Sequence, residues 1–345
     1  MVQRQKLRNS SIELLRIVCM MFIVMHHIII TTIAPNFCNP FYNVLDTIFH
    51  IAVVVFVIIT GYFGISFKLG RLIRLWAQIA FYSILAGFVA YFVLHTISIK
   101  QLCDCALPIY RKPYWFMSSY VELFLVAPAL NAVVNNLNRK ELLFTIVALL
   151  YSTNVFPPDV ILSSGLLLFS LLYLIGRYLA IYKNEDYKSN TKLILMLVVY
   201  LILTIPFYLL QPDSTIFQKF ISFGYRYFGL GTIFMSIIVF YLFKNITLYN
   251  KTINWAAASV LSIYLIHENH LISFYIYEYP TKYLLGYVPS FLAMIIVAFF
   301  VTVSCILFDK IRVALFRYIE PVFLWVENAV CSIVNRILHI VGVIV

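Results

Sequence analysis

Charged residues are scarce in this 345-residue chain, where aspartate, glutamate, lysine and arginine together make up 11% of the sequence. Soluble domains carry about a quarter charged residues, so this composition excludes a water-soluble enzyme. Glycine and proline are also few, at 11 and 12 residues, which excludes a collagen-like or low-complexity chain. Hydrophobic residues reach 63% instead, and the mean hydropathy is +0.94. The composition predicts an integral membrane protein.

The sequence shows no pattern typical of a metal site or of a nucleic-acid-binding site. The six cysteines have no paired spacing typical of zinc or redox sites, so we expect no metal. The net charge is +11, but no basic patch interleaved with aromatic residues is present, so we expect no nucleic-acid partner. We interpret the positive excess as a membrane-orientation signal.

Ten apolar runs are long enough, or nearly so, to cross a bilayer as helices of about 20 residues. They are continuous rather than alternating, which argues against a β-barrel. We therefore predict an all-α, polytopic integral membrane bundle of about ten transmembrane helices. The runs lie at about 12–33, 44–65, 75–97, 114–135, 141–156, 160–182, 193–210, 221–243, 254–276 and 285–308.

Lysine and arginine are concentrated in alternate connecting segments, such as 68–74, 183–192 and 310–317. The positive-inside rule then predicts a multi-pass protein of the plasma membrane with a cytoplasmic N-terminus. We assign 1–310 to a membrane-embedded domain and 311–345 to a C-terminal tail. The tail is apolar with one polar stripe, which predicts an interfacial amphipathic helix rather than another span.

Arg16 and His27 are the first candidate functional residues inside the membrane. They are eleven positions apart, so both lie within about 20° of one helical face, roughly 16 Å apart along the axis. Glu13 lies three residues before Arg16 and offers a purely structural partner. A structural role is also open for His27, as a histidine bonded to a backbone carbonyl or water. The adjacent His26 points about 100° away and is more typical of a packing residue.

His267, in the run SIYLIHENH, and Glu122 lie about 13 residues from the predicted cytoplasmic ends of their helices, and His27 lies about 15. At 1.5 Å per residue, this places all three roughly 20 Å from the inner surface. Ionisable groups at one depth suggest a shared polar chamber. The alternative is three unrelated polar sites. Asp46 and His50 lie nearer the predicted outer end of the second helix. There they either line an opening to the outside or extend their polar groups to the membrane interface.

Arg71 and Arg74 follow Lys68 on the predicted cytoplasmic side, between the second and third runs. They are three residues apart and project from one helical face, a geometry that can hold phosphate. The alternative is the ordinary positive-inside excess of a cytoplasmic segment.

Five motifs in order resemble the family 3 membrane acyltransferases over about residues 10–300. The first helix carries ELLRIVCMMFIVMHH, with Arg16, ten intervening residues and His27. The other four motifs are VFVIITGYFGI in the second run, Arg71-Leu72-Ile73-Arg74, Pro113-Tyr114-Trp115-Phe116-Met117 and Ser262-Ile263-Tyr264-Leu265-Ile266-His267. Each motif alone is weak, but their order on ten predicted spans is specific.

The resemblance implies an O-acyltransferase that moves acetyl from cytoplasmic acetyl-coenzyme A to a sugar hydroxyl of an envelope or capsular polysaccharide, or of its lipid-linked precursor. It makes His27 the catalytic histidine, Arg16 its essential partner, and Arg71 with Arg74 the coenzyme A phosphate contacts. Glu122 matches no family position. The expected partners are acetyl-coenzyme A, the acceptor and membrane lipids.

The chemistry of the predicted chamber agrees with acyl transfer, because a neutral imidazole can take the acceptor's proton near pH 7. His27 can instead attack the thioester and carry the acetyl group itself. A different function stays open: a proton-coupled transporter of an envelope precursor that uses His27, Glu122 and His267 as a relay.

Overall fold

Helices form all the regular secondary structure in the described part of the computed structural model, as the continuous apolar runs predict. The described residues are 9–35, 39–108, 114–155, 164–182, 188–210 and 229–340. The helices are α1 (Ser10–Ile28), α2 (Pro40–Phe49), α3 (Ile51–Phe63), α4 (Leu69–Phe88), α5 (Ile99–Asp104), α6 (Trp115–Asn136), α7 (Arg139–Val155), α8 (Ser164–Tyr182), α9 (Asn190–Leu210), α10 (Leu230–Lys244), α11 (Lys251–Ala257), α12 (Val260–His267), α13 (Tyr279–Leu284), α14 (Ser290–Tyr318) and α15 (Glu320–Ile340).

Six helical stretches of the described chain are long and apolar enough to cross a membrane. The predicted count of ten spans is therefore not confirmed and stays a prediction. The shorter apolar helix α9 contains the seventh run, and α10 covers the described part of the eighth, whose residues 221–228 lie outside the described residues. The six stretches are Ser10–Ile33, Pro40–Phe63, Leu69–Val93, Trp115–Asn136, Gly165–Tyr182 and Ser290–Tyr318.

The ninth apolar run does not form one continuous helix, so the expectation of an unbroken ninth helix is wrong. The chain breaks between α11 and α12, and α12 ends at His267. Lys310 Nζ of α14 donates to the Trp255 carbonyl and to Ser259 Oγ, each at 2.7 Å. Since carbonyls at a helix end need new partners, Lys310 stabilises the first break.

The first helix occupies the centre of the bundle, in contact with α3, α10, α11, α12 and α14. Its N-terminus is fixed by Ser10, whose backbone N–H donates to the Leu248 carbonyl at 2.7 Å. Much of its surface is buried, including Leu15, Cys19 and Val24. This position places the polar residues of α1 inside the protein rather than toward lipid.

The helices α3 and α8 cross at close range because glycine lies on both sides of the crossing. A β-carbon at Gly61 would collide with the backbone of Tyr173, and one at Gly176 with the backbone of Ile58. Small residues at such crossings let two membrane helices approach closely. This crossing sets the position of α3 beside α1.

Residues 311–318 of the predicted tail continue α14, and the described tail then forms α15, a helix that packs against α4. Glu327 accepts a hydrogen bond from the Gly70 backbone N–H at 3.1 Å, and Glu320 forms an ion pair with Arg74. Apolar side chains such as Trp325 are exposed on the same helix. The predicted tail helix is therefore present, whereas its location at the membrane interface stays a prediction.

Candidate functional site

The last turn of α1 carries His27 and is followed by a wide π-helical turn at Ile29–Ile33. The hydroxyl of Thr31 donates to the His27 carbonyl at 2.8 Å. Single π turns within helices are frequent at functional sites because they alter the direction of neighbouring side chains. Here the turn follows the histidine that the sequence identifies as the reactive group.

His267 contacts His27 from the end of α12. The Nδ1 atom of His267 lies 2.5 Å from the Ile263 carbonyl oxygen. Because a carbonyl only accepts, this Nδ1 carries a proton, and the Nε2 atom of neutral His267 is an acceptor. It lies 3.1 Å from His27 Nδ1. The two histidines that the sequence places at one depth are therefore in direct contact.

Glu268 completes the group of three side chains that we call the chamber triad, His27, His267 and Glu268. Its Oε2 atom lies 3.0 Å from His27 Nδ1. His27 Nδ1 thus faces two acceptors and carries the proton, which leaves His27 Nε2 with a free lone pair. The carboxylate also stabilises the imidazolium that forms when Nε2 takes a second proton.

The end of α12 gives Glu268 this orientation. The side-chain amide of Asn269 donates to Tyr114 Oη at 2.6 Å, and Tyr114 Oη donates to the Leu265 carbonyl at 3.1 Å. The Asn269 side chain also accepts from the Leu271 backbone N–H at 3.0 Å. Tyr114, just before α6, therefore holds the chain in place where the helix stops.

A cavity of about 270 Å³ lies beside the triad, and we call it the chamber. On α1 it is lined by Arg16, Met20, Ile23 and His27, spaced by four, three and four residues, which is one helical face. This confirms that Arg16 and His27 share a face. The other sides are mostly apolar and come from α3, α4, α6, α11 and α12.

Arg16 has the structural partner that the sequence offers. Its Nη1 atom lies 3.4 Å from Glu13 Oε1, and its side chain keeps 28% of its surface exposed. Arg16 lines the chamber as well. The guanidinium can therefore contact an anionic ligand that enters the chamber while Glu13 holds it in position.

Arg74 lies at a second cavity, of about 370 Å³, between α4, α14 and α15, which we call the arginine pocket. Arg312 and Arg317 also line it. Leu75 lines both the arginine pocket and the chamber, so the two cavities are adjacent. Arg312 is paired with Asp309 of the same helix at 2.6 Å, so Arg74 and Arg317 are the arginines of this pocket that would contact a phosphate.

Arg71 is exposed one turn before Arg74, and its Nη1 atom lies 3.5 Å from the Ser66 carbonyl oxygen. It is not among the described residues that line the arginine pocket. Arg71 and Arg74 therefore share one stretch of α4, as the sequence indicates, but they have different surroundings. Of these two arginines, Arg74 is paired with a carboxylate in the described contacts, that of Glu320.

Glu122 is half-buried on α6, and the described chamber lining does not include it. The α6 residues that do line the chamber include Phe116 and Tyr120. Trp115 lines the chamber on nearly the same face seven residues earlier, so Glu122 lies roughly 10 Å further along the axis of α6. The structure therefore brings His267 into contact with His27, which lines the chamber, and leaves Glu122 outside the described lining; a role for Glu122 stays a prediction.

A second polar group, the Asp46 cluster, consists of His26, Asp46 and His50. His26 Nδ1 lies 2.5 Å from Asp46 Oδ1, and His50 Nε2 lies 3.1 Å from Asp46 Oδ2. The rings of His26 and His27 have centroids 5.1 Å apart. His26, which is buried, is thus paired with a carboxylate and lies adjacent to the chamber triad, whereas its neighbour His27 is half-buried.

Both groups contain side chains that can bind metal ions, with ligand atoms within 4.8 Å of one another. In both, however, the same atoms are already placed as hydrogen-bond donors and acceptors at 2.5 to 3.1 Å. Hydrogen bonding accounts for the geometry, and the expectation of no metal stays a prediction.

Sequence reasoning missed Glu268 and Tyr114 as site residues. The signal for Glu268 was its position directly after His267, but in a continuous helix it would point about 100° away from that histidine. The end of α12 removes this restriction. Tyr114 belongs to the motif before α6, and nothing local to it indicates a contact with Asn269.

The sequence model of the family 3 acyltransferase domain matches residues 9–310. The match covers nearly the whole chain and includes every residue of the chamber triad. No curated protein and no solved structure shows a significant match to this chain.

Proposed function

Because the chain belongs to the family 3 acyltransferases, we propose that it moves an acetyl group from cytoplasmic acetyl-coenzyme A to a sugar hydroxyl. The acceptor would be a cell-envelope or capsular polysaccharide or its lipid-linked precursor, and the protein would act in the plasma membrane with its N-terminus in the cytoplasm. The single observation that carries the proposal is the chamber triad, because it leaves His27 Nε2 unprotonated beside a cavity.

In direct transfer, His27 Nε2 takes the proton of the acceptor hydroxyl as its oxygen attacks the thioester carbonyl. The carbon–sulfur bond breaks, and the coenzyme A thiolate receives the proton from the imidazolium. Glu268 stabilises the positive ring in between. In the alternative two-step route, Nε2 itself attacks the thioester carbonyl and the coenzyme A thiolate leaves as the carbon–sulfur bond breaks. The acceptor oxygen then attacks the acetyl-histidine, the carbon–nitrogen bond breaks, and the hydroxyl proton passes by way of the freed Nε2 to the thiolate. Both routes use the same nitrogen.

The donor would place its phosphates in the arginine pocket and its thioester in the chamber. Leu75 lines both cavities, which supports this arrangement. Arg74 lies at the phosphate end, and Arg16 lies between that end and His27. An arginine binds phosphate through parallel hydrogen bonds, so these residues would orient the donor as well as attract it.

The test is coenzyme A binding and acetyl-coenzyme A hydrolysis by the purified protein in detergent. We expect saturable binding to the wild type and to His27→Ala, and hydrolysis by the wild type alone. Failure of the wild type to bind coenzyme A would refute the donor assignment. The O-acetyl content of the polysaccharide, compared with and without the gene, tests the acceptor class.

A proton-coupled transporter of an envelope precursor is the second candidate, and the broken segment from α11 to α13 favours it. Discontinuous membrane helices often surround transporter binding sites. The binding experiment separates the two functions, since a transporter has no reason to recognise coenzyme A. The second run is interrupted only at His50, between α2 and α3, and still counts as one span, so the described chain offers no second segment like the one from α11 to α13, whereas transporter repeats supply two related ones.

A further inference from the structure

We propose that α15 is an internal competitor of the acyl donor, and that the carboxylates of Glu320 and Glu327 occupy positions that the donor's phosphates take when it binds. The inference rests on the proposed function and adds a regulatory step to it. A donor must displace the C-terminal helix before its phosphates reach Arg74.

The first contact is the ion pair of Glu320 with Arg74, in which Arg74 Nη2 donates to Glu320 Oε1 and Arg74 Nε donates to Glu320 Oε2 at 3.5 Å. Two hydrogen bonds from one guanidinium to one carboxylate reproduce the way arginine grips a phosphate. The Arg74 hydrogen bond also holds the pKa of Glu320 below its usual value. Glu320 is therefore a charged stand-in for a phosphate at neutral pH.

The second contact lies one turn of α4 away. Glu327 Oε1 accepts a hydrogen bond from the Gly70 backbone N–H at 3.1 Å, in the first turn of a 20-residue helix. The N–H groups of a first turn lack helical partners and attract anions. The glycine allows this approach, because a β-carbon at Gly70 would collide with the Glu327 carboxylate.

The two glutamates act from one face of one helix. They are seven residues apart, which is about two turns, so their side chains project in nearly the same direction. They contact Gly70 and Arg74, which lie four residues apart on α4. The α15 carboxylates and the α4 donors are thus matched pairwise, and Arg317 adds positive charge around them, whereas Arg312 is paired with Asp309.

Competition of this kind lowers the apparent affinity for the donor. If α15 were docked for nine-tenths of the time, only a tenth of the molecules would be ready to bind, and releasing the helix would tighten binding about tenfold. The arginine side chains themselves would be unchanged. Loss of a carboxylate from α15 should therefore strengthen coenzyme A binding, whereas a purely structural contact would weaken it or have no effect.

The test compares coenzyme A binding by the full-length wild type, Glu320→Gln, Glu327→Gln and the double variant, by calorimetry in detergent. We expect the dissociation constant to fall severalfold in each single variant and about tenfold in the double variant. Glu141→Gln, an equal change of charge on α7, is the matched control and should bind as the wild type does. Unchanged or weaker binding by correctly folded Glu320 and Glu327 variants would overturn the proposal.

A second measurement needs no variant. Coenzyme A added to the wild type should speed amide hydrogen exchange in residues 320–330, because the donor displaces α15. Slower or unchanged exchange there, with coenzyme A bound, would contradict displacement. These outcomes are separate from failure of the proposed function itself, in which neither the wild type nor any variant would bind coenzyme A.

Discussion

The Nδ1 atom of His27 lies 3.0 Å from the carboxylate of Glu268, although the two residues come from opposite ends of the membrane domain. A carboxylate on one imidazole nitrogen fixes the proton there and leaves the other nitrogen as a base. The arrangement resembles the histidine–carboxylate pair of other acyl-transfer sites in its roles. His267 adds a second acceptor to the same nitrogen.

We predict that His27→Ala abolishes acetyl transfer while the protein still inserts and folds. Loss of a general base costs roughly a hundred- to ten-thousandfold in rate, and loss of a nucleophile costs at least as much. His26→Ala should be much milder, because His26 pairs with Asp46 rather than with the chamber triad. A purified His27→Ala protein that keeps most of its transfer rate would remove His27 from the chemistry.

Glu268→Gln should lower kcat roughly ten- to a hundredfold and change KM little. The variant loses the charge-assisted hydrogen bond that stabilises the His27 imidazolium, which forms in the chemical step after the donor has bound. Glutamine keeps the size and one carbonyl acceptor, so folding should be preserved. Steady-state kinetics with saturating acetyl-coenzyme A measure the effect. Glu278→Gln, outside the triad, is the control, and an equal loss in both variants would argue against a specific role for Glu268.

Arg74→Ala should weaken coenzyme A binding about ten- to a hundredfold, the usual cost of one charge-assisted phosphate contact. Arg71→Ala should weaken it too, if Arg71 reaches the nucleotide from its exposed position. Arg74→Lys should restore binding only in part, since lysine lacks the planar fork. The donor assignment fails if the Arg71→Ala, Arg74→Ala double variant binds coenzyme A as tightly as the wild type.

His267→Ala and Glu122→Gln should affect different properties of the protein, the first its turnover and the second its stability. We expect His267→Ala to reduce acetyl transfer per folded molecule, because it removes an acceptor for His27 Nδ1. Glu122 lies away from the described chamber lining, so a bridging role predicts a lower melting temperature with normal turnover. The two quantities are measured side by side in detergent. Reduced turnover without destabilisation in Glu122→Gln would instead place Glu122 in the site.

Docking of α15 should depend on pH. The Glu320 carboxylate has a lowered pKa beside Arg74, so its ion pair persists above the ordinary glutamate pKa and is lost as the pH falls through the lowered value. The other charged groups at this site are Arg317, Arg312, which is paired with Asp309, and Glu327 on the same helix. The protection factors of the amides of residues 320–330, which correct for the intrinsic slowing of exchange in acid, should therefore fall as the pH falls, and Glu320→Gln should remove most of that pH dependence.

The sequence by itself determined the membrane class, the helical fold and one side of the site. Apolar runs of about 20 residues leave the backbone few options other than a helix. The helical period then put Arg16 and His27 on one face, which the chamber lining confirms. The motif order also indicated the family correctly. These properties depend on local spacing and composition, which a single sequence contains in full.

Only the tertiary structure decided what surrounds His27. Helical periodicity gives a direction within one helix and carries no information about which helices are neighbours. Equal depth grouped Glu122 with the two histidines, but Glu122 lies outside the described chamber lining, which α6 supplies from Trp115 to Tyr120. Glu268 reaches His27 because α12 ends at His267, where Asn269 contacts Tyr114. The partner of Arg74 on α15 depends likewise on a contact between distant helices, which no local pattern specifies.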